Sequence, residues 1–176
     1  MKKYISLIAL IVIILFSCDN KKYKSNDFIY SFENTDYNGV YTPISKFKIN
    51  NSYKYFIIDT GANMSMIDET YYEGHKDDFK FIKELDMTLS GVSGDKDVKS
   101  KYIIAEIGDS IKISHGFITS NLSGVIYNIK SSCGYDIIGI IGADYLNRYD
   151  ICVDFKNDMA YRSFLNKDSI ITKSSI

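Results

Sequence analysis

The chain has 176 residues, enough for one domain with a hydrophobic core, and its 21 Lys and Arg against 22 Asp and Glu leave a net charge of −1. That balance provides no basic footprint for nucleic acid or any other polyanion. Fifteen Tyr, ten Phe and a single proline, Pro43, favour strands over helices and exclude a disordered chain.

The first predicted element is a targeting segment. Lys2 and Lys3 supply a basic end, and Ile5 to Phe16 an apolar stretch short for a membrane-spanning helix. Leu15-Phe16-Ser17-Cys18 resembles the lipobox of bacterial lipoproteins. That resemblance implies a signal peptide over residues 1–17 and cleavage before Cys18. Acyl chains on Cys18 would then anchor the protein to a lipid bilayer, facing the periplasm or exterior. Residues 18–27 form a tether of polar composition, 28–165 one domain, and 166–176 a polar tail.

Within the domain, alternation around Phe47 and Ile49 predicts a strand, Asn50-Asn51-Ser52 a turn, and Tyr53 to Ile58 a second strand. Asp68 is expected to cap a short helix through Tyr72, with Glu69 in its first turn. A further helical patch is expected from Asp78 to Leu85. Met87 to Leu89 and Tyr102 to Ile107 read as strands joined by the Gly-punctuated tip Leu89 to Asp95. Ile111 to Ile113 and Gly116 to Ile118 read as two short strands. Asp136 to Ile141 is a buried strand, followed by a turn at Gly142 and a short helix that Asp144 caps. Tyr149 to Phe155 and Met159 to Phe164 close the domain as a hairpin. Many short strands with few helices give an all-β, barrel-like domain.

Chemistry concentrates in Asp59-Thr60-Gly61-Ala62, launched from the apolar run Phe56-Ile57-Ile58. Two carboxylates held close cannot both ionise, so one acts as base and the other as acid. Gly61 lets the chain turn sharply and bring backbone N–H groups towards the carboxylate. The motif occurs once, so a second carboxylate has to come from a second chain.

This motif, the downstream Gly hairpin and the late run Ile140-Ile141-Gly142-Ala143-Asp144-Tyr145-Leu146 resemble the retropepsin-like aspartic peptidases, including bacterial relatives, from about Ile44 to Phe164. The resemblance implies a half-barrel with short helices that completes its site as a homodimer, each copy giving Asp59 as the catalytic carboxylate. A heterodimer with a paralogue is the alternative pairing. Thr60 would brace the two active-site loops across the dimer axis, with Gly61 and Ala62 completing each loop. Gly91, Val92, Ser93 and Gly94 would form a flap over a peptide or protein substrate, and Ile141-Gly142 a supporting turn beneath the Asp59 loop. Where viral members often carry Arg, this chain has Ala143, so that ion-pair brace is missing. No metal or organic cofactor is implied.

The competing class is a catalytically silent peptide-binding or assembly lipoprotein on the same fold. His75 and His115 show no ligand or triad spacing, and Ser65 and Ser93 no nucleophile-elbow context. Cys133 and Cys152 can pair outside the cytoplasm, though the apolar run around Cys152 reads more simply as a buried thiol.

Overall fold

The computed structural model describes residues 28–33, 41–91 and 94–163. The predicted signal peptide, Cys18, the tether and the tail lie outside the described residues, as do Val92 and Ser93.

In chain order the strands are β1 (Ile29–Ser31), β2 (Ile44–Ile49), β3 (Ser52–Ile58) and β4 (Met66–Asp68), leading into helix α1 (Glu69–Gly74). A single 3₁₀ turn, Lys76–Asp78, precedes the long hairpin strands β5 (Lys80–Gly91) and β6 (Gly94–Ile107). Then come β7 (Ile113–Ser120), α2 (Ser123–Cys133), β8 (Ile137–Ile141), α3 (Ala143–Arg148), β9 (Ile151–Asp154) and β10 (Met159–Arg162).

The β2–β3 hairpin forms because two Asn occupy its turn. Ile49 pairs with Ser52, leaving Asn50 and Asn51 at φ 45° and 73°. These left-handed values suit a type I′ turn, which Asn tolerates better than residues with branched side chains. Asn50 also ties the turn down: its side-chain oxygen accepts from the Glu106 N–H at 3.0 Å, and its amide donates to the Asp78 carbonyl.

Strand order β2-β3-β8-β4-β7-β6 closes through Ile49↔Ile107, making a six-stranded barrel with β5 appended beyond β6. Strand β8 inserts between β3 and β4, parallel to β3 and antiparallel to β4. Parallel pairing places the C-terminal ends of β3 and β8 side by side. Those ends carry Asp59 and Gly142. A second sheet, β1-β10-β9, packs on the barrel: Tyr30 of β1 stacks on Phe47 at 4.3 Å, and its hydroxyl meets that of Tyr145 at 2.6 Å. Phe47, Phe56, Phe117, Ile44, Ile67 and Tyr145 are fully buried and form the centre of the core.

Several expectations need correction. Asp78 to Leu85 is not a helix beyond its first residue: Lys80 onward is strand, paired with β6 from Lys80↔Ile104 to Gly91↔Gly94. The hairpin tip is accordingly shorter than Leu89 to Asp95, since pairing runs up to those two glycines. Of the two short strands expected at Ile111–Ile113 and Gly116–Ile118, one forms: β7, which starts only at Ile113 and runs unbroken through Gly116 to Ser120. A side chain at Gly116 would stand 2.0 Å from the Tyr102 hydroxyl, so glycine here seats the ring of a cross-strand tyrosine rather than breaking the strand. Helix α2 had no counterpart in the sequence reading. Cys152 is exposed rather than buried, and no disulfide joins it to Cys133.

Candidate active site

Asp59 leaves the end of β3 partly exposed, while Thr60 and Gly61 are exposed. The Gly61 N–H donates to Asp59 Oδ1 at 2.8 Å, and the Ala62 N–H donates to the Asp59 carbonyl at 3.2 Å. One carboxylate oxygen is therefore anchored by backbone at a tight turn. These bonds fix the direction in which the carboxylate projects.

Beneath the loop lies the end of β8. The Asp59 N–H donates to the Ile141 carbonyl at 3.0 Å, and the Ala143 N–H to the Ala62 carbonyl at 2.7 Å. A Cβ on Gly142 would lie 2.7 Å from both the Ala62 oxygen and the Met64 carbonyl carbon. The backbones approach so closely that only glycine fits. Ile141-Gly142 is thus in direct backbone contact with the Asp59 loop.

A buried polar cluster underlies this contact. Ser65 Oγ donates to Asp144 Oδ1 at 2.7 Å and accepts from the Gly142 N–H at 3.0 Å. His115 Nε2 lies 3.2 Å from Ser65 Oγ and 3.4 Å from Asp144 Oδ2. Asp144 therefore does not cap α3. Gly142 holds the N-cap position without a side-chain bond, and Asp144 sits in the first turn. Burial pushes the Asp144 carboxyl up, but hydrogen bonds from His115 and Ser65 outweigh it and bring the group from 3.8 down to about 2.

Ser65, His115 and Asp144 look like a hydrolytic triad by residue type. Their geometry is different. The same imidazole nitrogen faces both partners, Nδ1 is buried with no hydrogen-bond partner among the described residues, and Ser65 and His115 are 0% and 3% exposed. A nucleophile needs an imidazole relaying between base and orienting carboxylate through its two nitrogens, and access to substrate. This cluster has neither, so its role is to hold Gly142 and the loop above it. Sequence spacing offered no signal for it, because its members lie 50 and 79 residues apart.

The β5–β6 hairpin meets the loop after Asp59 at a cavity. Gly91 pairs with Gly94 at the last described rung of the hairpin. Met87 and Thr88 of β5 share a cavity of about 270 Å³ with Gly61–Met64, Met66 and Ile118. At Met87 and Thr88, β5 therefore faces the loop after Asp59 across this cavity. Among the described residues no group of three or more His, Cys, Asp or Glu is placed to hold a metal ion.

The closed barrel carries one partly exposed carboxylate on an Asp-Thr-Gly turn, with a second apolar-Gly turn packed directly against that loop. The chain matches the family model of the retroviral aspartyl protease over residues 40–153, and it belongs to that family. Similar solved structures include the EIAV protease complexed with the inhibitor HBY-793, at 21% identity and TM-score 0.42, covering 64% of this chain and 92% of that one. The retroviral protease-like domain of Ddi1 from Leishmania major is 17% identical with TM-score 0.45, covering 72% and 92%. A retropepsin-like aspartic protease from Rickettsia conorii is 14% identical with TM-score 0.42, covering 77% and 87%. No curated protein matches the chain significantly.

Proposed function

We propose that this chain is a membrane-anchored aspartic endopeptidase whose active site is completed by a second copy. The observation that carries this reading is the Asp59 carboxylate, partly exposed, fixed by the Gly61 N–H and present in a single Asp-Thr-Gly turn. Two such loops meeting on a two-fold axis give a pair of carboxylates that share one proton. The ionised member takes a proton from a water as its oxygen adds to the peptide carbonyl carbon. The neutral member donates towards the carbonyl oxygen, and a proton delivered to the leaving nitrogen completes cleavage.

The β5–β6 hairpin serves as the flap, closing over substrate and excluding water. The anchor rests on Lys2-Lys3, the apolar run to Phe16 and the Cys18 lipobox. It places the substrates among extracytoplasmic peptides and proteins, and surface confinement favours pairing of the copies.

The test is cleavage of a broad peptide library from acid to neutral pH by wild type and by Asp59→Asn, with mass in solution measured alongside. Wild type should cleave as a dimer, and Asp59→Asn should dimerise and fail to cleave. Cleavage that survives Asp59→Asn overturns the reading. A folded protein that cleaves nothing leaves a silent binding or assembly lipoprotein. Metabolic labelling with palmitate, lost in Cys18→Ala, tests the anchor separately.

A further inference from the structure

The β5–β6 hairpin has a root, where it leaves the barrel. Strand β7 pairs with β6 only from Ile107 to Tyr102, whereas pairing with β5 continues from Glu84↔Lys101 out to Gly91↔Gly94. Past Tyr102 the arm is therefore a two-stranded ribbon, and among the described residues no third strand pairs with it. Such a ribbon is marginally stable in water by itself, so its direction depends on what holds its root. Ser100 at the root is buried, but its hydroxyl has no hydrogen-bond partner among the described residues. The ties concentrate on the next residue, Lys101. Its N–H donates to Thr119 Oγ1 of β7 at 2.9 Å, and its Nζ donates to Glu73 Oε1 of α1 at 2.6 Å. The same ammonium lies 5.4 Å from the centre of the Tyr72 ring.

Resting on the proposed peptidase reading, we propose that Lys101 is a positioning residue. Clasped by Glu73, it sets the angle at which the arm leaves the barrel. That angle sets the distance of Met87 and Thr88 from the loop after Asp59 while substrate occupies the site. Both ends of the clasp suit the task. Glu73 belongs to a helix that continues directly from β4, and β4 is held inside the barrel between β8 and β7. Asp68 fixes the start of that helix by accepting from the Tyr71 and Leu122 N–H groups. Lys101 sits on the arm itself, at the first rung past the support of β7. The backbone bond to Thr119 then acts as the pivot and the side-chain bond to Glu73 as the stay.

A partly exposed ion pair contributes little to global stability, and this one joins side chains that are 27% and 40% exposed. Its leverage is geometric. Val98, which pairs with Met87, is three residues along β6 from Lys101, about 10 Å of extended strand. A swing of about 10° at the root therefore displaces Met87 by about 2 Å. Misplacement of that size between groups that must meet on a substrate is felt in affinity or rate. The arm grips the substrate rather than the reacting atoms. Loss of the clasp should thus weaken ground state and transition state alike, raising KM more than it lowers kcat.

The experiment compares the full chain with its Lys101→Met, Lys101→Arg and Glu73→Gln variants by backbone hydrogen exchange and by peptide-cleavage kinetics. Lys101→Met keeps the apolar stem and the backbone bond to Thr119 and removes the charge. Exchange across residues 84–91 and 94–100 should quicken about tenfold or more in Lys101→Met and Glu73→Gln, with β3 and β8 unchanged. KM should rise about tenfold in the same two variants while kcat stays within about threefold. Lys101→Arg keeps the charge and should stay close to wild type in both measurements. Exchange as slow in Lys101→Met as in wild type overturns the inference. Equal damage from Lys101→Arg does the same, because the charge pairing with Glu73 is then not the tie. Faster exchange with KM unchanged marks a purely structural contact and overturns the positioning role. Absence of Asp59-dependent cleavage in wild type overturns the peptidase reading, and the positioning role with it, whatever the exchange shows.

Discussion

The Ser65 hydroxyl joins Asp144 to Gly142, donating to the carboxylate at 2.7 Å while accepting from the Gly142 N–H at 3.0 Å. The neighbours of Gly142 in turn hold the Asp59 loop, through Ile141 O and Ala143 N. Ser65→Ala removes the acceptor from a buried N–H and a partner from both Asp144 and His115. The expected loss is about 1–3 kcal/mol in urea denaturation at unchanged m, with kcat falling more than KM rises. A shift in stability below about 0.5 kcal/mol would show that water replaces the hydroxyl and that the brace is dispensable.

Asp144 makes the same brace sensitive to acid. Its carboxyl is lowered from 3.8 to about 2 in the folded protein, with the hydrogen bonds of His115 and Ser65 exceeding the opposing effect of burial. A depressed folded value gives stability that is present above the unfolded value near 4 and is lost as pH falls towards 2. With the side chain 28% exposed, the difference amounts to about 2 kcal/mol at most. Denaturation of wild type and Asp144→Asn at pH 5, 4, 3 and 2 should show the stability gap closing across that window. A gap that stays constant would remove Asp144 as its source.

Gly142 tests close approach rather than backbone freedom. Its φ and ψ, −98° and −177°, are open to any residue, yet an added Cβ would stand 2.7 Å from Ala62 O and 2.8 Å from Met64 O. Backbone atoms cannot rotate aside, so Gly142→Ala has to push the Asp59 loop away from β8. The expectation is a loss of about 1–3 kcal/mol and a larger proportional loss of peptide cleavage. Gly124→Ala is the control, with nothing within 4 Å of the added methyl and no stability loss expected.

The turn at Asn50-Asn51 gives a prediction independent of activity. Asn51 at φ 73° should accept Gly with no loss, and Asn51→Val should cost about 1–2 kcal/mol by thermal or urea unfolding. Equal stability of the two variants would mean that the turn changes type.

That hairpin, the Asp68 cap and the Gly142 turn were legible in the sequence because each rests on local chemistry. Asp68 accepts from the Tyr71 N–H at 3.1 Å, as a cap should, and additionally from Leu122 N–H at 3.0 Å, which no local pattern announces. Strand β5 was misread because Phe81, Ile82 and Leu85 stand at helical spacing, while its actual partner, β6, arrives only later in the chain. Helix α2 escaped notice for the opposite reason. None of its residues is fully buried, and its composition of Ser, Gly and β-branched residues is poor for helices. Its ends did carry signals: Asn121 accepts from the Ser123 N–H at 3.1 Å, and Gly134 closes it at φ 79°. The Ser65–His115–Asp144 cluster was beyond reach from sequence, since it exists only once β7 and α3 are packed against the loop.

The proposed sharing of one site by two Asp59 side chains predicts a particular response to mixing. Wild type and Asp59→Asn combined in equal amounts and allowed to exchange give about one quarter wild-type dimers, half mixed dimers and one quarter double variants. A mixed dimer keeps one carboxylate and one amide, and the amide can neither take nor share the proton that the reaction moves. Activity per wild-type chain should therefore fall to about one half, whereas independent sites would leave it unchanged. Diluting wild type alone supplies the complementary reading, because activity per chain should fall with concentration below the dimer dissociation constant. Activity that is indifferent both to mixing and to dilution would mean that a single Asp59 suffices, and the two-chain mechanism would have to be abandoned.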